Sequence, residues 1–434
     1  MNNKRFETLS IHGGYTPDEN TRSRAVPLDR STSFTFRDCQ HAADVFALKD
    51  PSYLYTRLGS PTQAVLEKRL ALLEDGGAGT AAALALASGT SAVFYAVINL
   101  ARQGDEIVAL SNLYGGTYTM FDAILPDFGI RTRFVREGDA EGVAAAINSR
   151  TRALFVEAIG NPGLDVADIA RLADLAHARG IPLIVDATFT TPYLLRPLEH
   201  GADIVVHSLT KWIGGHGVAI GGIVVDGGPF DWKNKGFSLY DDPDPNYHGL
   251  RWGHDVEGAL PYITRMRTVP LRNLGACVAP DNAWFFLQGL ETLALRMERH
   301  SANALAVANY LQNHAKVAWV RYPGLESDPS RELAKRYLPR GCGGMVVFGL
   351  AAGREGGAKE GGRRFVEALR LFSHLANVGD ARSLVLHPAS TTHSQLSEQQ
   401  QEEAGLKPEL IRLSIGLEHP DDILTDIEEA LAAV

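Results

Sequence analysis

Between residues 82 and 225 the chain repeats one pattern seven times: an apolar run of strand length, a short connection and, in most intervals, a stretch with helical spacing. The runs fall at 82–87, 106–110, 132–135, 153–157, 183–186, 204–207 and 220–225. Near-continuous apolar strands alternating with helices predict an α/β domain whose mostly parallel sheet is covered on both faces. In such a sheet ligands collect at the C-terminal ends of the strands. Ser88, Glu157, Asp186 and Lys211 all fall at or just beyond those ends. The clearest helix is expected from Asp165, with Asp168 three residues on, Ile169, Leu172, Ala173 and Ala176 on one face, and Gly180 as its stop.

The chemistry concentrates in two of these strand ends. The 204–207 run feeds Ser208-Leu209-Thr210-Lys211-Trp212-Ile213-Gly214-Gly215-His216. A partly desolvated lysine beside hydroxyl donors suits capture of an aldehyde that carries a phosphate handle, which is what pyridoxal phosphate offers. The 183–186 run ends in Asp186, where a carboxylate can keep a pyridine nitrogen protonated and the ring electron-withdrawing. Thr188, two residues on, falls on the same side of an extended chain and can bond the ring or orient Asp186. Taken singly, Lys211 reads as a surface lysine after a strand and Asp186 as a strand-end cap.

Other rim positions fit the same ligand. Ser88-Gly89-Thr90-Ser91 lies between a strand and a helix, where small residues and a helix N-terminus cradle a phosphate, with Ser208 and Thr210 as added donors. Plain N-capping explains the serines equally well. Tyr114-Gly115-Gly116 follows the second strand, so the Tyr114 ring can stack on a pyridine face, worth about 0.5–1.5 kcal/mol, or pack under a glycine turn.

Composition narrows the classes. The chain has 434 residues, enough for two or three domains, and a net charge of −9, which argues against a nucleic-acid partner. Cys39, Cys277 and Cys342 form no CxxC pair and suit a reducing compartment; with no apolar leader core near Met1, a cytoplasmic enzyme is expected. Residues 76–101 lack charge, yet their glycines and Ser88-Gly89-Thr90-Ser91 favour a buried strand and helix over a membrane span. The G-x-G-x-x-A match at Gly77, Gly79 and Ala82 follows a helical pattern rather than a strand and is set aside. His216, His387 and His393 lack metal-ligand spacing, so no metal is expected.

With these residues in place, the chain resembles the Cys/Met-metabolism enzymes dependent on pyridoxal phosphate, and within them the O-acetylhomoserine sulfhydrylases. The resemblance runs from Thr8-Leu9-Ser10-Ile11-His12-Gly13-Gly14 to Arg412-Leu413-Ser414-Ile415-Gly416-Leu417-Glu418. Its strongest carriers are residues 208–217 and Tyr55-Thr56-Arg57-Leu58-Gly59-Ser60-Pro61-Thr62; residues 384–395 and 289–297 suggest the subgroup. It implies the aspartate-aminotransferase-like fold (fold type I): an arm over residues 1–62 reaching a neighbouring subunit, a large cofactor-binding α/β domain over 63–279 and a smaller α/β domain over 280–434.

The resemblance makes Lys211 the Schiff-base lysine and Asp186 the pyridinium partner. It assigns Gly89, Thr90, Ser208 and Thr210 to the phosphate, Tyr114 to the ring and to proton handling, and Asn161 to the cofactor's phenolic oxygen or the substrate. Arg412, assisted by Ser383, would bind the substrate carboxylate. Tyr55 and Arg57 would reach the phosphate of a neighbouring subunit in a homo-oligomer, a tetramer built from dimers. The implied reaction takes O-acetyl-L-homoserine and sulfide to L-homocysteine and acetate, as in methionine biosynthesis. Cystathionine γ-synthase, O-succinylhomoserine sulfhydrylase and γ-lyase activities are the alternatives on the same cofactor, and a catalytically silent scaffold is a further one. Two positions depart from the family: Gly163 replaces a bulkier residue, often lysine, and Thr90 stands where many relatives carry methionine.

In the C-terminal part, one helix is expected over 281–297, with Trp284, Phe285, Leu287 and Leu290 as its contacts. Strands are expected at 344–349, 384–387 and 411–414, with helices at 363–372 and 421–432. Residues 353–362 read as a mobile surface turn. Residues 230–251 read as an irregular insertion, more a solvated excursion than a cover for the site.

Overall fold

The computed structural model describes residues 4–233, 235–256, 258–351, 357–388 and 407–434. Its larger sheet has seven strands: β1 (Ala82–Leu86), β2 (Glu106–Leu110), β3 (Arg131–Val135), β4 (Thr151–Glu157), β5 (Leu183–Asp186), β6 (Ile204–Ser208) and β7 (Gly222–Asp226). They lie in the order β1-β7-β6-β5-β4-β2-β3. The run β3 to β6 is parallel, and β7 is antiparallel to both its neighbours. Ile184, Val185, Val205 and Val206 have no exposed surface, as expected of strands covered on both faces. Residues 76–101 fold as part of this sheet and its flanking helix, and among the described residues no helix is long and apolar enough to cross a membrane.

Helices α1 (Pro61–Glu74), α2 (Gly89–Ile98) and α3 (Ile169–His177) flank the sheet, α1 and α2 on opposite faces. Helix α3 starts one turn later than expected. Its cap is Asp168, which accepts from the Arg171 N–H; Asp165 is instead engaged by Asn112 and Arg321. Two further corrections concern the C-terminal part. The single helix expected over 281–297 is two, α4 (Pro280–Glu291) and α5 (Leu293–Gln312), parted at Thr292, whose φ of −111° and ψ of 9° leave the helical range. Phe285 is exposed, and Phe286 takes the buried place expected of it.

The second sheet is β10-β11-β12-β9-β8, built from β8 (Val317–Arg321), β9 (Met345–Leu350), β10 (Ser373–His374), β11 (Leu384–Leu386) and β12 (Leu410–Ser414). Helices α6 (Gly357–Ala368) and α7 (Pro420–Ala432) pack with it, β8 and β10 being additions to the expected strands. One apolar cluster runs from the α1 face of the large sheet through α4 and α5 into this sheet. Residues 230–251 are not a solvated excursion. Trp232 stacks on Tyr240 (4.7 Å between ring centroids) and on Tyr262 (5.2 Å), and these rings join the core over α2. Tyr240 and Tyr262 bond Asn99 and the Ala96 carbonyl, at the opposite end of α2 from Ser88. Of the turn expected over 353–362, residues 357–362 are instead the first half of α6, which ends at Ala368 rather than at Phe372; residues 353–356 lie outside the described residues, as do residues 389–395 with His393.

Candidate active site

The C-terminal ends of β1, β4, β5 and β6 converge as the strand pattern requires. Ser88 caps α2 by accepting the Ser91 N–H at 3.0 Å. Gly89 lies so close to β6 that a Cβ there would stand 2.6 Å from the Cβ of Ser208 and 2.8 Å from its Oγ. The helix N-terminus with Ser88, Gly89 and Thr90 is therefore pressed against Ser208, leaving no space for a side chain at Gly89; backbone N–H groups at such a terminus suit an anion. Thr210 reaches the same rim, where its hydroxyl exchanges hydrogen bonds with the Gly221 main chain, 3.1 Å from N and 3.2 Å to O.

Asp186 sits at the end of β5, its Oδ1 accepting the Thr188 N–H at 2.9 Å, while Thr188 Oγ1 accepts the Ser208 N–H at 2.8 Å. Burial pushes the Asp186 pKa up, against the hydrogen bonds of Thr188 and the influence of His207. Glu157, its neighbour in register on β4, is pushed well above the usual carboxylate range by burial and by Asp186, although it accepts the Tyr114 N–H at 2.6 Å. A pyridinium opposite Asp186 would hold that carboxyl ionised, so the donor set fits pyridoxal phosphate.

Lys211 donates from Nζ to Asn377 Oδ1 at 2.6 Å. Burial, and then the cation of Arg412, bring its pKa down to about 8, which puts much more free amine at neutral pH than an ordinary lysine has. Arg412, brought in by β12 of the other sheet, donates to Asn161 Oδ1 at 3.1 Å and is held down to about 10 by burial, with Tyr114 pulling the other way. The half-exposed Tyr114 ring stands at this mouth.

Two groups of expected residues make contacts of their own. The Ser383 hydroxyl is bonded within the fold. It donates to Glu418 Oε2 at 2.9 Å and accepts the Gly416 N–H at 2.9 Å, while its own N–H goes to Glu418 Oε1. Tyr55 and Arg57 pack on each other, 4.9 Å from guanidinium carbon to ring centroid, and Arg57 lies beside Gly275 with its buried Nε unpartnered. Asn377 was not foreseen. It sits in a loop before Gly379 with no periodicity or motif of its own. Asn112 was also missed: its amide, bonded to Asp165 at 2.7 Å, fills the space a side chain at Gly163 would need. Among the described residues no cluster of His, Cys, Asp and Glu is arranged to hold a metal ion. His216 bonds the Gly214 carbonyl and His387 the Pro408 carbonyl.

A parallel-centred sheet whose strand ends unite a half-buried lysine, a half-buried aspartate and a small-residue helix N-terminus defines a pyridoxal-phosphate-dependent enzyme of fold type I. The chain belongs to the Cys/Met metabolism PLP-dependent enzyme family, whose pattern matches residues 7–432. It is 51% identical to the O-acetyl-L-homoserine sulfhydrylase of Leptospira meyeri, over 98% of this chain and 96% of that one. It is 50% identical to the homocysteine synthase of Schizosaccharomyces pombe, over 99% of each. A solved Campylobacter jejuni chain carrying N'-pyridoxyl-lysine-5'-monophosphate superposes with a TM-score of 0.93 at 40% identity, over 99% of this chain and all of that one.

Proposed function

We propose that the protein catalyses γ-replacement at O-acetyl-L-homoserine, with sulfide as nucleophile, giving L-homocysteine and acetate. The observation that carries this reading is the meeting of Lys211, from the large sheet, with Arg412, from the small one, close enough for the guanidinium to depress the lysine pKa. An amino acid held by its carboxylate at Arg412 presents its α-carbon to that amine. The near-identity in length and half-identity in sequence with the two named relatives support the choice of substrates.

Pyridoxal phosphate, when bound, supplies an electron sink that stabilises negative charge developing on the substrate carbons. Gly89, Thr90 and the α2 N-terminus would hold its phosphate, with Ser88, Ser208 and Thr210 beside it. Asp186, set by Thr188, would pair with its ring nitrogen, and Tyr114 would pack on the ring. Arg412 takes the substrate carboxylate through a two-pronged bond, with Asn161 steadying the guanidinium. Lys211 would remove the proton from Cα, pass it on to the conjugated system and, neutral again, take one from Cβ as acetate leaves Cγ; it would return protons after hydrosulfide has added at Cγ. A four-carbon stem lets one amine reach both carbons. Tyr114, as its phenolate, would take a proton from the incoming substrate ammonium.

Residues 1–62 are assigned as an arm, 63–279 as the large domain and 280–434 as the small one. Tyr55 and Arg57, packed on each other, are assigned to the phosphate of a neighbouring subunit in a tetramer of dimers. Three unpaired cysteines fit a cytoplasmic setting. The test is a product assay that offers acetyl and succinyl esters of homoserine against sulfide and cysteine. Homocysteine formed fastest from the acetyl ester and sulfide supports the proposal. Cystathionine as main product, or a 2-oxo acid with ammonia, refutes it.

A further inference from the structure

Helix α5 carries four buried polar side chains that the reaction does not use; Ser301 accepts the Gly343 N–H, and the other three are Arg296, His300 and Asn303. At i, i+4 and i+7 they form one stripe. Among the described residues no carboxylate pairs with Arg296, which is only 4% exposed. Its guanidinium donates to the carbonyls of Trp212 (2.5 Å), Ile213 (3.1 Å) and Gly289 (2.6 Å) and to Thr292 Oγ1 (3.2 Å). Burial holds its pKa down to about 10, the mark of a charge kept from water without a counter-ion. Trp212 and Ile213 are the two residues after Lys211, and Gly215 closes the turn by donating to the Lys211 carbonyl at 2.7 Å. A Cβ at Gly215 would collide with the guanidinium itself.

Further along the same stripe the partners change. His300 Nδ1 donates to the Ile415 carbonyl at 2.6 Å, and Asn303 Nδ2 donates to the carbonyls of Gly416 (3.0 Å) and Glu418 (2.9 Å). These carbonyls belong to the segment that leaves β12 after Ser414, two residues beyond Arg412. The stripe therefore grips the Lys211 turn at one end and the Arg412 strand exit at the other, about 10 Å apart along a rigid helix.

We infer that α5 positions the two groups against each other: Arg296 sets the turn that carries Lys211, while His300 and Asn303 set the exit of the strand that carries Arg412. This rests on the roles proposed above for Lys211 and Arg412. Arg296, His300 and Asn303 are positioning residues, because their bonds reach the site only through those two segments. A guanidinium suits the task better than an ammonium, since a planar fork can hold diverging carbonyls at once.

The test splits kcat from KM. Arg296→Lys keeps a buried cation and loses the fork; Asn303→Ala removes the two bonds beyond Arg412; Leu311→Ala, buried on α5 outside the stripe, reports loss of stability alone. Each is measured as holoenzyme for kcat and KM, as apo-enzyme for the rate of pyridoxal phosphate capture by absorbance, and for Tm. Arg296→Lys is expected to lower kcat about 10- to 100-fold and slow capture, in line with small misplacements of a reacting group. Its KM should stay within about threefold. Asn303→Ala should raise KM several-fold with kcat and capture little changed. Leu311→Ala should lower Tm only. Losses that track Tm in all three variants, without the split, overturn the proposal. If Arg296→Lys does not fold, Asn303→Ala decides: a rise in KM alone supports it, and kcat and KM both unchanged or both impaired refute it. If borohydride does not label Lys211 in the wild-type holoenzyme, the roles beneath the proposal fail and it falls with them; if Lys211 is labelled and the split is absent, only the positioning role fails.

Discussion

Lys211 differs from a surface lysine in having lost water and gained a cation nearby, and both favour its neutral amine. Lys211→Arg, which cannot supply that amine, should lower turnover by about 10²–10⁴-fold, measured as homocysteine formed per folded subunit. Arg412→Gln tests the electrostatic part. The guanidinium disfavours protonated Lys211, so removing it should move the Lys211 pKa upward from about 8. The pH midpoint for pyridoxal phosphate capture by the apo-enzyme then rises; an unmoved midpoint would show that burial alone tunes the amine. Lys211 and Asp186 were legible because each follows an apolar strand. Arg412 was reachable only through the family resemblance, since an arginine on a short strand carries no local signal of a ligand. Asn377 escaped altogether, because its partner lies 166 residues away. The bonds of Ser383 to Glu418 and the Gly416 N–H were not legible either, since only the fold brings those groups together.

At the scale of elements, the cradle depends on how closely the start of α2 meets the end of β6. Gly89→Ala places a Cβ against Ser208, and overpacking of that kind costs about 1–3 kcal/mol. Pyridoxal phosphate affinity, measured by equilibrium titration of the apo-enzyme, should weaken by about 5- to 150-fold. Trp232, at the far end of α2, gives the opposite outcome. Trp232→Ala should cost about 3–5 kcal/mol in urea unfolding while turnover per folded molecule stays the same; a large rise in KM would place residues 230–251 over the site after all. Six of the seven strands of the large sheet were readable because their apolar runs are buried along most of their length, whereas β3 buries only Val135. β8 was not, since most of its residues are only half-buried and its pattern resembles a surface segment. The start of α3 was misplaced because Asp165 and Asp168 are equivalent cap candidates until Asn112 and Arg321 claim the first.

At the scale of the whole molecule, the proposed reach of Tyr55 and Arg57 into a neighbouring subunit makes completeness of the site a question of assembly. Arg57→Ala and Lys211→Ala, each nearly inactive alone, should recover about a quarter of wild-type activity after co-refolding in equal amounts. Half of randomly formed dimers pair one of each, and one of their two sites is intact. No recovery would return Tyr55 and Arg57 to an internal role. The central claim is narrower: one ε-amine, that of Lys211, carries the cofactor. Borohydride reduction of the holoenzyme followed by peptide mass spectrometry tests it most directly. The expected result is a phosphopyridoxyl group on the peptide containing Lys211 and on no other; a label on a different lysine, or none from fully loaded enzyme, would contradict it.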